Sequence, residues 1–118
     1  MDLFAHDSEI GWDALGGGVS RKVMSYSDAL MVVKVRFETG SIGMQHKHPH
    51  TKISYVAAGR FEYTIGDRTV IVESGDTCLI PPDTLHGCLC LEKGVLIDSF
   101  TPAREDFLPI QTPRSGSR

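Results

Sequence analysis

Three histidines stand at alternate positions in the stretch GSIGMQHKHPHTKISYV: His46, His48 and His50. Successive side chains of a β-strand point to opposite faces, so these three and Lys52 share one face if the stretch is extended. Imidazoles at positions i and i+2 on one face can bind the same metal ion, and histidine is the commonest metal ligand in proteins. The spacing therefore indicates a metal site that needs one distant ligand to become three-dimensional.

His86, in the stretch IPPDTLHGC, is the histidine from which we expect that distant ligand. It follows a turn fixed by proline and opens a strand, so its ring would be delivered from a neighbouring strand. An exposed polar strand face would also account for the alternating triplet. Spacing alone does not distinguish the two interpretations.

Short strands separated by Gly and Pro turns are the main pattern of the chain. Strands are predicted for ALMVVKVRF (29–37) and DTCLI (76–80), a strand pair around Gly59 for residues 53–66, a hairpin at Gly66-Asp67, and a second hairpin from residues 86–91 and 94–100. REDFL (104–108) fits one helical turn, and no amphipathic helix of useful length is present. This pattern is typical of an antiparallel sandwich or barrel.

The 118 residues correspond to one domain. Residues 1–20 are predicted to be an N-terminal segment that ends in a flexible connector, GGGVS. Residues 21–108 would form the barrel. Residues 109–118, which end in QTPRSGSR, are expected to be a flexible tail.

Composition and charge argue against several classes of function. A net charge of −3 gives no basic stripe for nucleic acid. No apolar run approaches the ~20 residues that span a bilayer, and the start MDLFAHDSEIGW has no signal-peptide pattern. The cysteines, Cys78, Cys88 and Cys90, are odd in number and form no CxxC pair. We therefore expect a cytoplasmic protein with free thiols and no membrane partner.

Two motifs around the histidines resemble those of the cupin family. The matching positions are Gly40, His46, His48 and Gly59 in motif one, and Gly75, Pro81 and His86 in motif two. The resemblance implies an all-β fold, an antiparallel double-sheet jelly-roll barrel in a single domain. It also implies that His46, His48 and His86 bind a divalent metal (Ni, Zn, Mn or Fe). His50 is not a usual ligand of the family and is expected to line the mouth of the site, where it would contact the substrate.

Within the cupins, residues 12–108 look like the small single-domain proteins related to KdgF, which act in the breakdown of pectin and alginate. The similarity is carried by LMVVKVRFETG, HKHPHTKISYVAAGRFEYTIGD and VLIDSFTPAREDFL. That family ketonises 4,5-unsaturated monouronates, opening the sugar ring to a linear keto acid. The resemblance implies that Asp98, Phe100 and Arg104 stand beside the metal.

In that setting the metal acts as Lewis acid and template. Asp98 would be an acid–base group, Arg104 a planar fork for a substrate carboxylate, and Phe100 an apolar wall against the sugar. Each of these three residues also has a purely structural explanation. Asp98 would be a strand-end polar residue, Arg104 half of a surface pair with Glu105 or Asp106, and Phe100 a core residue, which is the simpler explanation for a phenylalanine.

Lys52 stands where the family has its fourth ligand, a glutamate or glutamine. A protonated lysine has no lone pair, and two like charges 4 Å apart cost about 4 kcal/mol at an effective dielectric of 20. We favour a metal on three histidines with Lys52 turned towards the mouth. The alternatives are a metal-free site with Lys52 in the metal's place, or Lys52 as an acid–base or anion-binding group. A second departure is Asp83, which replaces the motif-two glycine and tolerates unusual backbone angles.

Three functions follow from these residues. The first is a metal-dependent sugar-acid isomerase, the second a non-catalytic cupin that holds a small anion with Lys52 and Arg104, and the third an iron-dependent dioxygenase. In the first two the partner is a small carboxylate or sugar acid, and the family resemblance implies a homodimer. The apolar run from Leu30 to Val33 fits a dimer contact or an internal strand equally well.

Overall fold

The computed structural model describes residues 2–108, which form eight strands and two single 3-10 turns. The strands are β1 (Asp13–Gly16), β2 (Val19–Tyr26), β3 (Met31–Phe37), β4 (Ile42–His46), β5 (Thr51–Ile65), β6 (Arg68–Glu73), β7 (Thr77–Ile80) and β8 (His86–Thr101). The turns are η1 (Asp7–Glu9) and η2 (Glu105–Phe107), so no helix in this part of the chain is long enough to cross a membrane. The all-β prediction and the single turn within residues 104–108 are confirmed. The tail predicted for residues 109–118 lies outside the described residues.

Two long strands, β5 and β8, run antiparallel through both sheets of the molecule. The first half of β5 pairs with the second half of β8, and the second half of β5 pairs with the first half of β8. Register shifts between Val56 and Phe61 mark the bend between the halves. One sheet therefore has the order β1-β2-β3-β8-β5-β7 and the other β4-β8-β5-β6. This is the double-sheet jelly-roll arrangement that was expected.

The strand pairs predicted within residues 53–66 and within residues 86–100 are wrong, because each is one continuous strand. Gly59 has φ +88°, and a Cβ there would lie 2.5 Å from the carbonyl oxygen of Glu92. A Cβ on Gly94 would collide with the carbonyl oxygen of Ala58. These glycines mark a close crossing at which both strands bend rather than reverse. The hairpin at Gly66-Asp67 is confirmed and joins β5 to β6.

The run GGGVS forms the turn of the β1–β2 hairpin and the start of β2, so the prediction of a flexible connector is wrong. Residues 16–18 are glycines with φ between +62° and +90°, a region that glycine enters without steric cost. The segment before the hairpin packs against β2 and β3. Lys22 Nζ donates to the carbonyl oxygens of Asp7 and Ile10, at 3.0 and 3.1 Å, and lies over the ring of Trp12.

The main core lies between the two sheets and takes side chains from both. Its buried members are Phe37, Val56, Phe61, Tyr63, Val72, Ile80, Cys90 and Leu96. A second cluster, centred on Met31, Val33, Phe100 and Ala103, lies under one end of the barrel. Strand β3 runs between β2 and β8, so residues 31–33 of the apolar run belong to an internal strand that buries Met31 and Val33, whereas Leu30 precedes the strand and is exposed.

Candidate metal centre

A cavity of about 760 Å³ opens inside the barrel, and its walls are mostly apolar. Polar side chains are grouped within it, and the ionisable or hydrogen-bonding ones are Arg21, Ser41, His46, Lys52, Tyr63, His86, Cys88, Asp98 and Arg104. Cavities of this size hold small-molecule ligands in many proteins. Six of the eight predicted site residues, all except His48 and His50, therefore line a space that suits a monosaccharide-sized ligand.

The fold brings His46, His48 and His86 together. His46 is the last residue of β4 and pairs with His86 at the start of β8, while His48 follows where β4 has ended. Ring centroids lie 4.4 Å apart for His46 and His86, 4.9 Å for His48 and His86, and 5.3 Å for His46 and His48. The three ligand nitrogens lie within 4.8 Å of one another. The predicted trio can thus share one ion.

Backbone carbonyls orient each of the three rings. The Nδ1–H group of His46 donates to the carbonyl of Met44 at 2.9 Å, and that of His86 to the carbonyl of Thr84 at 2.8 Å. The Nδ1–H group of His48 donates to the carbonyl of the residue two positions later, at 3.3 Å. A carbonyl only accepts, so the proton of each neutral ring sits on Nδ1 and the lone pair on Nε2. Such carbonyl contacts are the usual outer support of metal-binding histidines.

Burial keeps two of the rings neutral. It lowers the pKa of His48 to about 4, helped by the charge of Arg104, and the pKa of His86 to about 3, helped by the charge of Lys52. Their Nε2 atoms are buried and have no hydrogen-bond partner within the described residues. A buried nitrogen left unpaired costs about 1–3 kcal/mol, which coordination would offset. Neutral rings with free lone pairs are the form that a metal requires, so these residues fit a divalent ion.

The stretch from His46 to Lys52 is not one continuous strand, because residues 47–50 form a loop between β4 and β5. His50 therefore does not follow the alternation of strand faces that its spacing from His46 and His48 suggested. Its ring centroid lies 5.4 Å from that of His48 and 6.3 Å from that of Phe100, and it is not among the residues that line the cavity. Its contact with a substrate stays a prediction. The loop is held by Asp83, whose N–H donates to the carbonyl of His48 at 2.8 Å with φ +57°, so the tolerated backbone angle is confirmed.

Lys52 points inward, and the expectation that it turns towards the mouth is wrong. Its side chain is 7% exposed, and its Nζ lies 3.8 Å from Oδ2 of Asp98, which is equally buried. The two strands place Lys52 opposite Phe100 and diagonal to Asp98. The lysine is held there because a buried ammonium needs a counter-charge, which the carboxylate supplies.

Two further residues, Ser54 and Tyr63, extend this pair into a buried polar chain. Ser54 lies opposite Asp98, to whose Oδ1 its hydroxyl donates, and it accepts a hydrogen bond from Tyr63 at 3.1 Å. Burial, and then the charge of Asp98, raises the pKa of Tyr63 well above 10, so the phenol stays a donor. Sequence reasoning missed both residues. Ser54 could have been predicted, because it lies two positions after Lys52 and so on the same face of the strand. Tyr63 could not, because the bend after Val56 interrupts the alternation of faces along β5.

Arg104 and Phe100 border the same site. Arg104 Nε and Nη2 donate to the two carboxylate oxygens of Asp106, at 2.9 and 2.7 Å, which lowers the pKa of Asp106. The predicted pair with Asp106 is present, but Arg104 itself is buried rather than at the surface. Phe100 is a core residue that also meets the ring of His48, at 5.7 Å between centroids. The functional roles proposed for the two residues remain predictions.

Comparisons with known proteins agree with this architecture. Residues 33–97 match the family described as Cupin_2, cupin domain. The chain is 47% identical over 110 residues to the pectin degradation protein KdgF of Dickeya dadantii (strain 3937), a match that covers 92% of this chain and 100% of that protein. The structure of KdgF from Halomonas sp. superimposes with a TM-score of 0.88 at 34% identity, covering 92% of this chain and all of that one. An RmlC-like cupin from Shewanella frigidimarina NCIMB 400 gives a TM-score of 0.88 at 35% identity, covering 92% and 97% of the two chains.

Proposed function

This chain belongs to the cupin domain family, and from that premise we propose that it is a KdgF-type isomerase that ketonises 4,5-unsaturated monouronates. The observation that carries the proposal is the cluster of His46, His48 and His86. Two of its members, His46 and His86, line a cavity that is also lined by Asp98 and Arg104. The KdgF protein of Dickeya dadantii, which is aligned along its whole length, is named for pectin degradation, and this name supports a sugar acid as the substrate.

The reaction is an internal rearrangement, so it needs only proton transfer and charge stabilisation. The hemiacetal O–H proton leaves, the ring C–O bond breaks to give an aldehyde and an enolate, and the enolate carbon takes up a proton to give the keto acid. The Nε2 atoms of His46, His48 and His86 would hold a divalent metal, which would supply Lewis acidity to the substrate.

Asp98 is the carboxylate to which we assign the proton transfer. The hydroxyl of Ser54 occupies its Oδ1. Lys52 is 3.8 Å from Oδ2, which is longer than a direct hydrogen bond, so Oδ2 is left to accept the hemiacetal proton and return one to carbon. Asp106 occupies Nε and Nη2 of Arg104, which leaves its Nη1 for a substrate oxygen.

The direct test uses protein stripped with a chelator and reloaded with Ni, Zn, Mn or Fe. Given an unsaturated monouronate, it should remove the ultraviolet absorbance of the conjugated double bond faster than a buffer control. Asp98→Asn should lower the rate by about 10²–10⁴-fold, as expected for a general acid–base residue. Asp67→Asn, at an exposed hairpin turn, is the matched control and should keep full activity. No acceleration with any of the four metals would overturn the proposal.

A second candidate is a non-catalytic cupin that binds a small anion. The observation in its favour is the buried Lys52, which places a cation where the family has its fourth ligand. Stabilisation by small carboxylates without turnover or bound metal would support this function. Oxygen consumption with Fe(II), measured in the same samples, would instead support the dioxygenase alternative.

We infer that the protein assembles as a homodimer in a reducing cytoplasm. Ile53, Tyr55 and Leu79 are 47%, 42% and 59% exposed on neighbouring positions of β5 and β7, which is a concentration of apolar surface typical of an interface. All three cysteines are free thiols, which suits a reducing compartment.

A further inference from the structure

Arg21 is a cavity-lining guanidinium that the sequence motifs do not single out. It lies in β2 next to Lys22, and the two side chains point in opposite directions, with Lys22 under the N-terminal segment and Arg21 at the cavity. Its backbone is paired on both sides, opposite Asp13 in β1 and Val35 in β3. The arginine is therefore presented from the middle of a sheet, which fixes its position.

Phe107 orients the guanidinium of Arg21. The Cζ atom of Arg21 lies 3.8 Å from the centroid of that ring, and the Cζ atom of Arg104 lies 4.1 Å from the same centroid. An arginine stacked on an aromatic plane keeps its N–H groups free at the edge. The N–H groups of Arg104 are partly used by Asp106. The guanidinium of Arg21 makes no hydrogen bond or ion pair with any residue in the range 2–108.

The charges in the cavity leave Arg21 without a counter-ion. Lys52 is paired with Asp98, and Arg104 is paired with Asp106. Burial and the nearby Arg104 lower the pKa of Arg21, although an arginine stays protonated at any physiological pH. Asp13 and Asp106 act on Arg21 only from beyond ion-pair distance. Among the described residues, the guanidinium of Arg21 is thus a positive charge in this cavity without an ion-pair partner, and its N–H groups are free to donate.

We propose that Arg21 is a substrate-binding residue that holds the carboxylate of the ligand and so selects sugar acids over neutral sugars. The identity of the acid as a monouronate rests on the proposed function. Arg21 and His46 line the same cavity, so one ligand can meet the guanidinium and the histidine cluster together. The apolar walls, which include Val35 and Leu96, weaken the competition of water for that contact.

The test compares the binding of galacturonate, a saturated monouronate that cannot be ketonised, with that of neutral galactose. Titration calorimetry should show that Arg21→Gln weakens galacturonate about 10- to 100-fold, the range for a charged hydrogen-bonding contact, and leaves galactose unchanged. Arg21→Lys should fall between, because it keeps the charge and loses the fork. Arg68→Gln, which removes an exposed arginine of β6, is the matched control and should bind like the wild type. Circular dichroism and metal content should be unchanged in each variant.

Kinetics separate this inference from the proposed function. With the unsaturated monouronate, Arg21→Gln should raise KM by a factor similar to the loss of galacturonate affinity and keep kcat within a few-fold. If the protein turns over the unsaturated monouronate but Arg21→Gln binds galacturonate as tightly as the wild type does, the role of Arg21 is overturned and the proposed function is not. If the wild type does not turn over the unsaturated monouronate but its binding of galacturonate depends on Arg21, the proposed function is overturned and the role of Arg21 is not. No saturable binding of galacturonate by the wild type would overturn the role of Arg21.

Discussion

Lys52 is the residue at which this chain departs most from the cupin pattern, and its partner explains how the site accommodates it. The ammonium is buried near the imidazoles of His48 and His86, where an uncompensated charge would oppose a cation. Asp98, 3.8 Å away, supplies the opposite charge. The chain therefore has an ion pair where the family has a neutral or acidic fourth ligand. The ion pair keeps the local charge near zero, but the site loses one lone pair that could bind a metal.

We expect Lys52→Gln to bind a divalent metal at least about tenfold more tightly than the wild type. The change removes a positive charge beside the site and leaves the carboxylate of Asp98 without its lysine, and each effect favours a cation. Metal retained after dialysis against a graded chelator, measured by elemental analysis, gives the affinity. Lys47→Gln removes a neighbouring exposed lysine and is the control that should change nothing. Equal retention by Lys52→Gln and the wild type would contradict the expectation.

Cys88, which also lines the cavity, should be a poor nucleophile despite its access to solvent. Burial raises its pKa to about 11, so the thiolate is about 0.1% of the thiol at pH 8. In a variant with Cys78 and Cys90 changed to alanine, alkylation by iodoacetamide should accelerate roughly tenfold per pH unit from 8 to 10. The unfolded chain loses this proton at a lower pH than the folded one, so the thiol also makes stability fall between about pH 8.5 and 11. Labelling at pH 8 as fast as in urea would contradict the raised pKa.

At the scale of the elements, the crossing of β5 and β8 creates the cavity. Both strands bend where Gly59 and Gly94 approach each other, and each then continues into the second sheet. The halves of β8 carry different parts of the site: His86 comes from the first half and Asp98 from the second. Without the bend, these two residues would lie far apart along one straight strand.

Replacing Gly59 with alanine should therefore be costly. The residue has φ +88° and its Cβ would meet the carbonyl oxygen of Glu92 at 2.5 Å, so we expect a loss of about 3 kcal/mol or more in the free energy of unfolding. Gly66→Ala is the matched control. Gly66 also has a positive φ, +61°, but has open space around it, and should lose about 1 kcal/mol. Urea unfolding measures both, and equal losses would show that the close crossing is not what constrains Gly59.

The same crossing explains how far the sequence could predict the structure. Local signals were sufficient for the Gly66-Asp67 hairpin and for His46, His48 and His86, because turn chemistry and motif spacing act over a few residues. Gly59 resembles a turn glycine in sequence, and only the opposing Glu92 carbonyl shows that it bends a continuous strand. The members of the site that were missed lie on strands that meet only in three dimensions: Arg21 on β2, and Ser54 and Tyr63 on the two halves of β5.

At the scale of the whole molecule, one sheet presents an outer surface that residues 2–108 do not cover. Ile53 and Leu79 lie directly opposite each other on β5 and β7, and Tyr55 follows on the same face of β5. Strand β7 pairs only with β5 within the described residues, so its other edge carries unpaired backbone groups. An exposed apolar face beside an open strand edge favours association with another chain.

A second copy of the chain is the partner that we expect on this face. In a two-fold dimer each substitution acts twice, so Ile53→Glu or Leu79→Glu should convert the dimer to a monomer in light scattering coupled to size exclusion. Val70→Glu, on β6 of the other sheet, removes an apolar side chain of similar exposure, 46%, and should leave the dimer intact. The cavity faces the interior of the barrel, so the monomeric variants should retain the three-histidine site and bind metal as the wild type does. A wild-type monomer at all concentrations, or equal dissociation by Val70→Glu, would exclude this face as the interface.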